Sequence, residues 1–220
     1  MSSTATGFVM NPPDGASYLF DPGSLCFELL TTGGPGEFAR WESLHGPGDL
    51  AAWLAKSRLR LDAERVRVSP GELAAARRVR DAIMRMAQAA LRGDPPGPED
   101  VAEVNRAAAA PPLAPSITPG GARAWVLPAD ASQALSTVAR DAVELFTGRF
   151  AGRIRECAGQ RCRLVFVDTS RPGRRRWCAM ERCGNRSKVR ALRTRRGSEA
   201  PGGAEPGERP DGPPAQERAR

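Results

Sequence analysis

The sequence predicts an α+β protein of two unequal parts: a mostly helical N-terminal domain with a small β-hairpin, then a short basic module rich in cysteine. Three observations predict it. Apolar residues recur at helical spacing in the segments beginning at Pro70, Pro98 and Ala131. A Pro119-Gly120-Gly121 turn divides two short extended runs. Four of the five cysteines fall between Cys157 and Cys183.

The opening stretch is dense in Gly, Pro, Ser and Thr, so residues 1–20 read as a loose N-terminus and residues 21–148 as the helical domain. Residues 25–30 form a short apolar run compatible with helix or strand. Asp49 is placed to cap a short helix carrying Leu50, Trp53 and Leu54 on one face. Ser69-Pro70-Gly71-Glu72 is a stronger start: a capping serine, proline at the first helical position, and glutamate three residues after the serine. Leu73, Ala76, Val79, Ile83, Met86 and Ala90 then follow at three- and four-residue spacing until Gly93. A shorter helix with Val101, Val104 and Ala108 ends at Pro111-Pro112. Residues 113–118 and 122–127 flank the glycine turn as a hairpin. Asp130-Ala131-Ser132-Gln133 caps the next helix, with Leu135, Val138, Ala142, Leu145 and Phe146 inward and Gly148 as its stop. Residues 197–220 are nearly free of apolar side chains. They cannot offset their chain entropy by burial and read as a disordered tail.

Charge divides the chain more sharply than hydrophobicity does. The net +8 is concentrated in residues 149–196, which carry 16 basic and 3 acidic side chains, whereas residues 1–148 are net −3. Arginine outnumbers lysine 31 to two (Lys56 and Lys188), a usage that fits GC-rich coding. Coding bias would spread arginine along the whole chain, so the clustering is the informative part. A field of this kind attracts polyanions. The start lacks a basic segment followed by an apolar core, and no run approaches the roughly 18 apolar residues of a membrane span. The expected location is cytoplasmic, where thiols stay reduced and clusters of them bind metal.

Cys157-x4-Cys162 and Cys178-x4-Cys183 are two close pairs bracketing fifteen residues. That pattern brings four thiolates onto one tetrahedral zinc ion, and four sulfurs leave no position for a reactive water, so the site is structural. The competing reading is four buried or redox cysteines without metal. In the insert, residues 163–168 alternate as a strand, residues 169–173 supply a turn, and residues 174–177 return to close a hairpin. Residues 184–195 hold no proline and read as a helix. Knuckle, hairpin and helix in that order make a treble-clef-like zinc finger of residues 149–196. His45 reads as a loop or surface residue and Cys26 as a small buried side chain.

From Cys157 to Lys188, the run Phe166-Val167-Asp168-Thr169-Ser170, Arg175-Arg176-Trp177-Cys178-x-Met180 and Cys183-Gly184-Asn185-Arg186-x-Lys188 resembles the CGNR zinc finger. More loosely, residues 25–32 and Asp49-Leu50-Ala51-Ala52-Trp53-Leu54 are similar to the ABATE domain that precedes this finger in bacterial proteins described as stress-induced transcriptional regulators. Where that family's first stretch ends in Asn-Thr, this chain has Thr31-Thr32. The resemblance implies zinc binding and DNA binding.

Gly184 is expected to let the backbone approach the metal, Asn185 to hydrogen-bond across the knuckle, and Asp168 to pair with one of Arg174, Arg175 and Arg176. These structural roles are weighed against direct nucleic-acid contact for Asn185 and Asp168. Trp177 and Phe166 read as the finger's own core, with base stacking as the other use. Arg182, Arg186, Arg190, Arg193 and Arg196 recur along one helical face, with Val189 and Leu192 free to pack inward. Glu181 is the only acid between Asp168 and Gly197, so these cations repel one another unless a polyanion is bound. The expected contact set is Arg174, Arg175, Arg176, Arg182, Arg186, Lys188, Arg190 and Arg193. The function expected is a DNA-binding regulator, its N-terminal domain sensing a small molecule or mediating homodimerisation. The alternative is a zinc-stabilised module for RNA or an acidic protein. The helical domain shows no nucleophile–base set or phosphate loop, so the sequence does not predict an enzyme.

Overall fold

The computed structural model describes residues 7–11 and 16–198, with side chains as far as Thr194. The tail expected from residue 197 lies outside the described residues beyond Ser198.

Where the sequence reads as loose, two short strands pair antiparallel: β1 (Phe8–Met10) and β2 (Tyr18–Phe20), with Phe8 opposite Phe20. Tyr18 and Phe20 are buried because they pack on the cysteine module, a long-range contact that local composition does not encode. The ambiguous run becomes helix α1 (Leu25–Leu29), capped by the Ser24 hydroxyl, which accepts from Phe27 N–H. Helix α2 (Pro47–Lys56) begins two residues ahead of Asp49. Asp49 caps from inside the first turn, its carboxylate accepting from the N–H groups of His45 and Gly46 at 2.8 and 2.7 Å. His45 is exposed, as expected of a loop residue.

A two-residue strand β3 (Val66–Arg67) leads into α3 (Pro70–Arg92), whose start is the predicted capping box. Glu72 N–H donates to the Ser69 hydroxyl at 3.2 Å, and Ser69 N–H donates to the Glu72 carboxylate at 2.8 Å. Gly93 ends the helix in the left-handed conformation, φ 77°, which glycine adopts without a Cβ penalty. Helix α4 (Pro98–Ala109) and the hairpin β4 (Pro115–Ile117) and β5 (Arg123–Trp125) follow as predicted. Strand β6 (Ala129–Asp130) lies parallel to β3 and feeds α5 (Ala131–Thr147).

Helices α3, α4 and α5 pack on one another, with α1 set against α3 and α5. Their contact faces are rich in fully buried alanine (Ala82 and Ala87 of α3, Ala134, Ala139 and Ala142 of α5), which lets the backbones approach closely. Phe27 and Leu29 of α1 fill the centre. Arg80 is buried among them at 2% exposure, and a bidentate pair with Glu42 (both contacts 2.8 Å) satisfies its guanidinium. Cys26 is fully buried, as expected. Among the described residues no helix is long and apolar enough to cross a membrane.

The cysteine module starts with β7 (Ile154–Glu156) and β8 (Val165–Val167), antiparallel, with Ile154 opposite Val167. The sequence pairs this strand with residues 174–177. In the structure its partner is β7, and residues 174–177 form no strand. The alternation of β8 explains its position. Val165 and Val167 face the main helical core, while Phe166 faces the cysteines, so the strand is shared between two cores. The module ends in helix α6 (Asn185–Ser198), entered through a single wide turn over Met180–Gly184.

Candidate metal centre and basic surface

Cys157 and Cys162 flank the loop that joins β7 to β8. Cys178 follows the irregular segment after β8, and Cys183 sits in the turn that opens α6. Three separate segments therefore present one sulfur cluster. All four Sγ atoms lie within 4.8 Å of one another, with Cys162 to Cys178 at 3.9 Å and Cys178 to Cys183 at 3.6 Å. A regular tetrahedron with zinc about 2.3 Å from each sulfur has edges of about 3.8 Å. The donor set and spacing fit one zinc ion.

Local hydrogen bonds build the cluster. Cys157 N–H donates to Leu164 O (2.9 Å), Ala158 N–H to Arg176 O (2.9 Å) and Cys162 N–H to Gly159 O (3.0 Å), closing the knuckle loop. The N–H groups of Gly159 and Cys178 point at the Cys157 sulfur, at 3.4 and 3.2 Å. Side-chain hydrogen bonds with Cys162 and Cys178, helped by those N–H groups, pull the Cys157 thiol well down. Its thiolate in turn pushes Cys162 and Cys178 up, and burial pushes Cys183 up. Thiolates this close to one another repel. A divalent cation is what allows all four to ionise.

Gly159 is the residue that sequence reasoning missed. A Cβ there would lie 2.7 Å from the Cys183 sulfur and 3.3 Å from Cys162 Cβ. Gly184, expected to serve the metal, makes room instead for Met180 and Trp177: a Cβ there would lie 2.6 Å from Met180 Sδ and 3.3 Å from Trp177 Cδ1. Its signal in the sequence is the Cys157-x-Gly159 spacing, which sets a glycine inside the knuckle loop. Tyr18 and Phe20 complete the small core around the cysteines with fully buried Phe166 and partly buried Trp177. Both finger aromatics are therefore core residues. Burial, reinforced by the nearby Cys178, pushes the Tyr18 phenol up.

Asp168 is fully buried, and its carboxylate accepts from Ser170 N–H (3.0 Å), the Ser170 hydroxyl (2.6 Å) and Arg175 N–H (2.8 Å). Burial raises its pKa, but these hydrogen bonds outweigh that and hold it below the usual carboxylate range. Its expected arginine pairing is thus replaced by the Arg175 backbone. Asn185 does not bridge the knuckle: its exposed amide donates back to Glu181 O at 3.4 Å. Glu181 accepts from Leu19 N–H at 3.2 Å, tying the turn to β2.

The arginines divide into two groups. Arg175 turns inward, its guanidinium 4.1 Å from the Phe166 ring and donating to the carbonyls of Trp177 (3.1 Å) and Cys178 (2.7 Å). It is a brace of the finger and leaves the contact set. Arg182 is half-buried over the Tyr18 ring at 4.8 Å. Arg174, Arg176, Arg186, Lys188, Arg190 and Arg193 are exposed; the Arg196 side chain lies outside the described residues. Val189 and Leu192, expected to pack inward, are each 49% exposed, so the face they share is left largely to solvent.

A family model described as "Putative stress-induced transcription regulator", ABATE, matches residues 23–149, more than half of the chain. The chain belongs to the ABATE family. A second model, the CGNR zinc finger, matches residues 153–196 behind the ABATE unit and contains all four clustered cysteines. No curated protein matches the chain. The ABATE unit supplies the helical core, and the CGNR unit holds one structural zinc through Cys157, Cys162, Cys178 and Cys183. Zinc there would fix the knuckle loop against the start of α6, and so set the direction in which the basic helix leaves the body.

Proposed function

We propose that this ABATE-family protein is a DNA-binding transcriptional regulator acting through binding alone, with residues 23–149 receiving a signal or mediating association. The observation that carries the reading is α6. From Asn185 to Thr194 it exposes Arg186, Lys188, Arg190 and Arg193 with no acid on the helix to offset them. Arg186 and Arg190 are one turn apart, a like-charge arrangement that costs helix stability. A helix with this charge and little packing gains most from a polyanion, and phosphates supply one. Arg174 and Arg176 add to the same basic module. The closed four-sulfur centre supports a structural role for zinc, since it leaves no site for a metal-bound water.

The test is duplex DNA affinity of the zinc-loaded chain as a function of salt. With about four phosphates neutralised by α6, the slope of log K against log salt is expected near −3.6. Replacing Arg186, Lys188, Arg190 and Arg193 together by Ala should remove most of that slope. Absence of any duplex binding at low salt, or an unchanged slope in the fourfold variant, would refute the reading. Preference for single-stranded RNA over every duplex would move the assignment to an RNA-binding module.

A further inference from the structure

Between the ABATE unit and the finger lies a cavity of about 890 Å³, within the roughly 300–1,000 Å³ typical of small-molecule sites. Its ABATE side is apolar, with Phe27, Leu30, Phe38 and Met84 in the lining. Trp41 stands in the wall, 45% exposed, with the Phe38 ring 5.9 Å away and the Arg40 guanidinium stacked 3.9 Å above it. An indole left to water in a concave wall is surface that a ligand would profitably cover. The finger side is of opposite character. Five of its lining residues are arginines, and no acid lines the cavity among the described residues. Arg161 and Arg163 come from the knuckle loop, and Arg182, Arg186 and Arg190 from the turn and helix after Cys183. Arg163 also faces Glu37 at 3.4 Å and Glu156 at 3.3 Å. Set against the formal −2 of a four-thiolate zinc site, these cations still leave the cavity positive.

We propose that this cavity binds a small amphipathic organic anion, its apolar body on Trp41 and the exposed edges of Leu30 and Phe38 and its anionic head on the finger arginines. Apolar walls with a few convergent charges are the usual composition of such sites. The placement also gives the ligand a consequence. Arg186 and Arg190 belong both to this cavity and to the basic surface proposed to meet DNA. An anion in the cavity draws on the same charges, so ligand and DNA oppose each other's binding, reciprocally. This regulatory step rests on the DNA-binding reading; occupancy of the cavity does not.

The probe is decanoate, titrated calorimetrically into the zinc-loaded full chain, with decylamine (same length of apolar body, opposite charge) and acetate (head alone) as comparisons. Decanoate is expected to bind saturably at one site, and the other two at least about tenfold more weakly, about 1.4 kcal/mol. Trp41→Ala, and separately Arg161→Ala with Arg163→Ala, should each weaken decanoate about tenfold while zinc content and the melting transition are kept. Equal binding of decylamine and decanoate, no saturable decanoate heat, or full affinity in both variants would overturn the site. A second arm measures duplex affinity with and without saturating decanoate. A fall in the wild-type chain that disappears in Trp41→Ala supports the coupling, and unchanged duplex affinity overturns it. Decanoate binding by a chain that binds no duplex would uphold the cavity and remove the DNA reading.

Discussion

Gly159→Ala is the most discriminating single change at the metal centre. The new methyl carbon would sit 2.7 Å from the Cys183 sulfur, 3.1 Å from Cys183 Cβ and 3.3 Å from Cys162 Cβ. Non-bonded heavy atoms rest about 3.5–4.0 Å apart, so the Cys183 sulfur must retreat by about 1 Å. Zinc–sulfur distances tolerate about 0.2 Å. The displaced atom is a ligand fixed between the knuckle loop and α6, so it has no flexible arm with which to give way. A perturbation of that kind next to the ligands should weaken zinc by roughly 10- to 100-fold, about 1.4–2.8 kcal/mol. Competition with a chromophoric chelator measures the affinity directly. Gly152→Ala is the internal control, because a Cβ there meets nothing within 4 Å and should leave zinc binding unchanged. If Gly159→Ala binds zinc within twofold of the wild-type chain, the close packing of the knuckle on Cys183 is not what the structure shows.

The other predictions concern the supports of the two units. Zinc removal by chelator should lower the melting temperature of the helical core as well as the finger, because Val165 and Val167 of β8 belong to that core; an unchanged transition of the helices would contradict the shared strand. Arg80→Met leaves Glu42, which is partly exposed, without its bidentate partner and should cost about 1–3 kcal/mol in urea unfolding at pH 7. Burial pushes Glu42 up, but Arg80 and the Leu44 N–H hold it below its ordinary value. Its contribution is therefore full above the unfolded carboxylate pKa of about 4.3 and is lost as pH falls through the folded value, so the gap between wild type and Arg80→Met should narrow in acid. Asp168→Ala orphans Ser170 N–H and Arg175 N–H and should cost about 2–3 kcal/mol, read as a lower melting temperature together with faster zinc loss to chelator. Asp168→Asn, which keeps one acceptor oxygen, should fall between the two.

Local signals carried most of the ABATE unit. The Ser69–Glu72 capping box, the apolar period of α3 and the glycine turn between β4 and β5 all arise within a few residues, and the structure has each where the sequence puts it. The paired cysteine spacing likewise gave the ligand set. Long-range pairing was not legible. Nothing in residues 8–20 announces that Tyr18 and Phe20 cover the sulfur cluster, since the reason lies at Phe166 and Cys178. Strand β8 alternates as expected, but alternation does not name a partner, and β7 competes successfully with residues 174–177. Arg175 reads like its neighbours in a run of three arginines; the Phe166 ring and the carbonyls of Trp177 and Cys178 turn it inward. Val189 and Leu192 fit an inward face by period, yet the structure leaves both half-exposed.

The central claim is that one zinc ion on Cys157, Cys162, Cys178 and Cys183 organises the finger and aims its basic helix. Native mass spectrometry of the full chain tests it most directly. The account predicts one zinc per chain, retained at neutral pH and lost when Cys178 and Cys183 are both replaced by Ser. Less than about half an equivalent of zinc on the wild-type chain, or a full equivalent on that double variant, would contradict it.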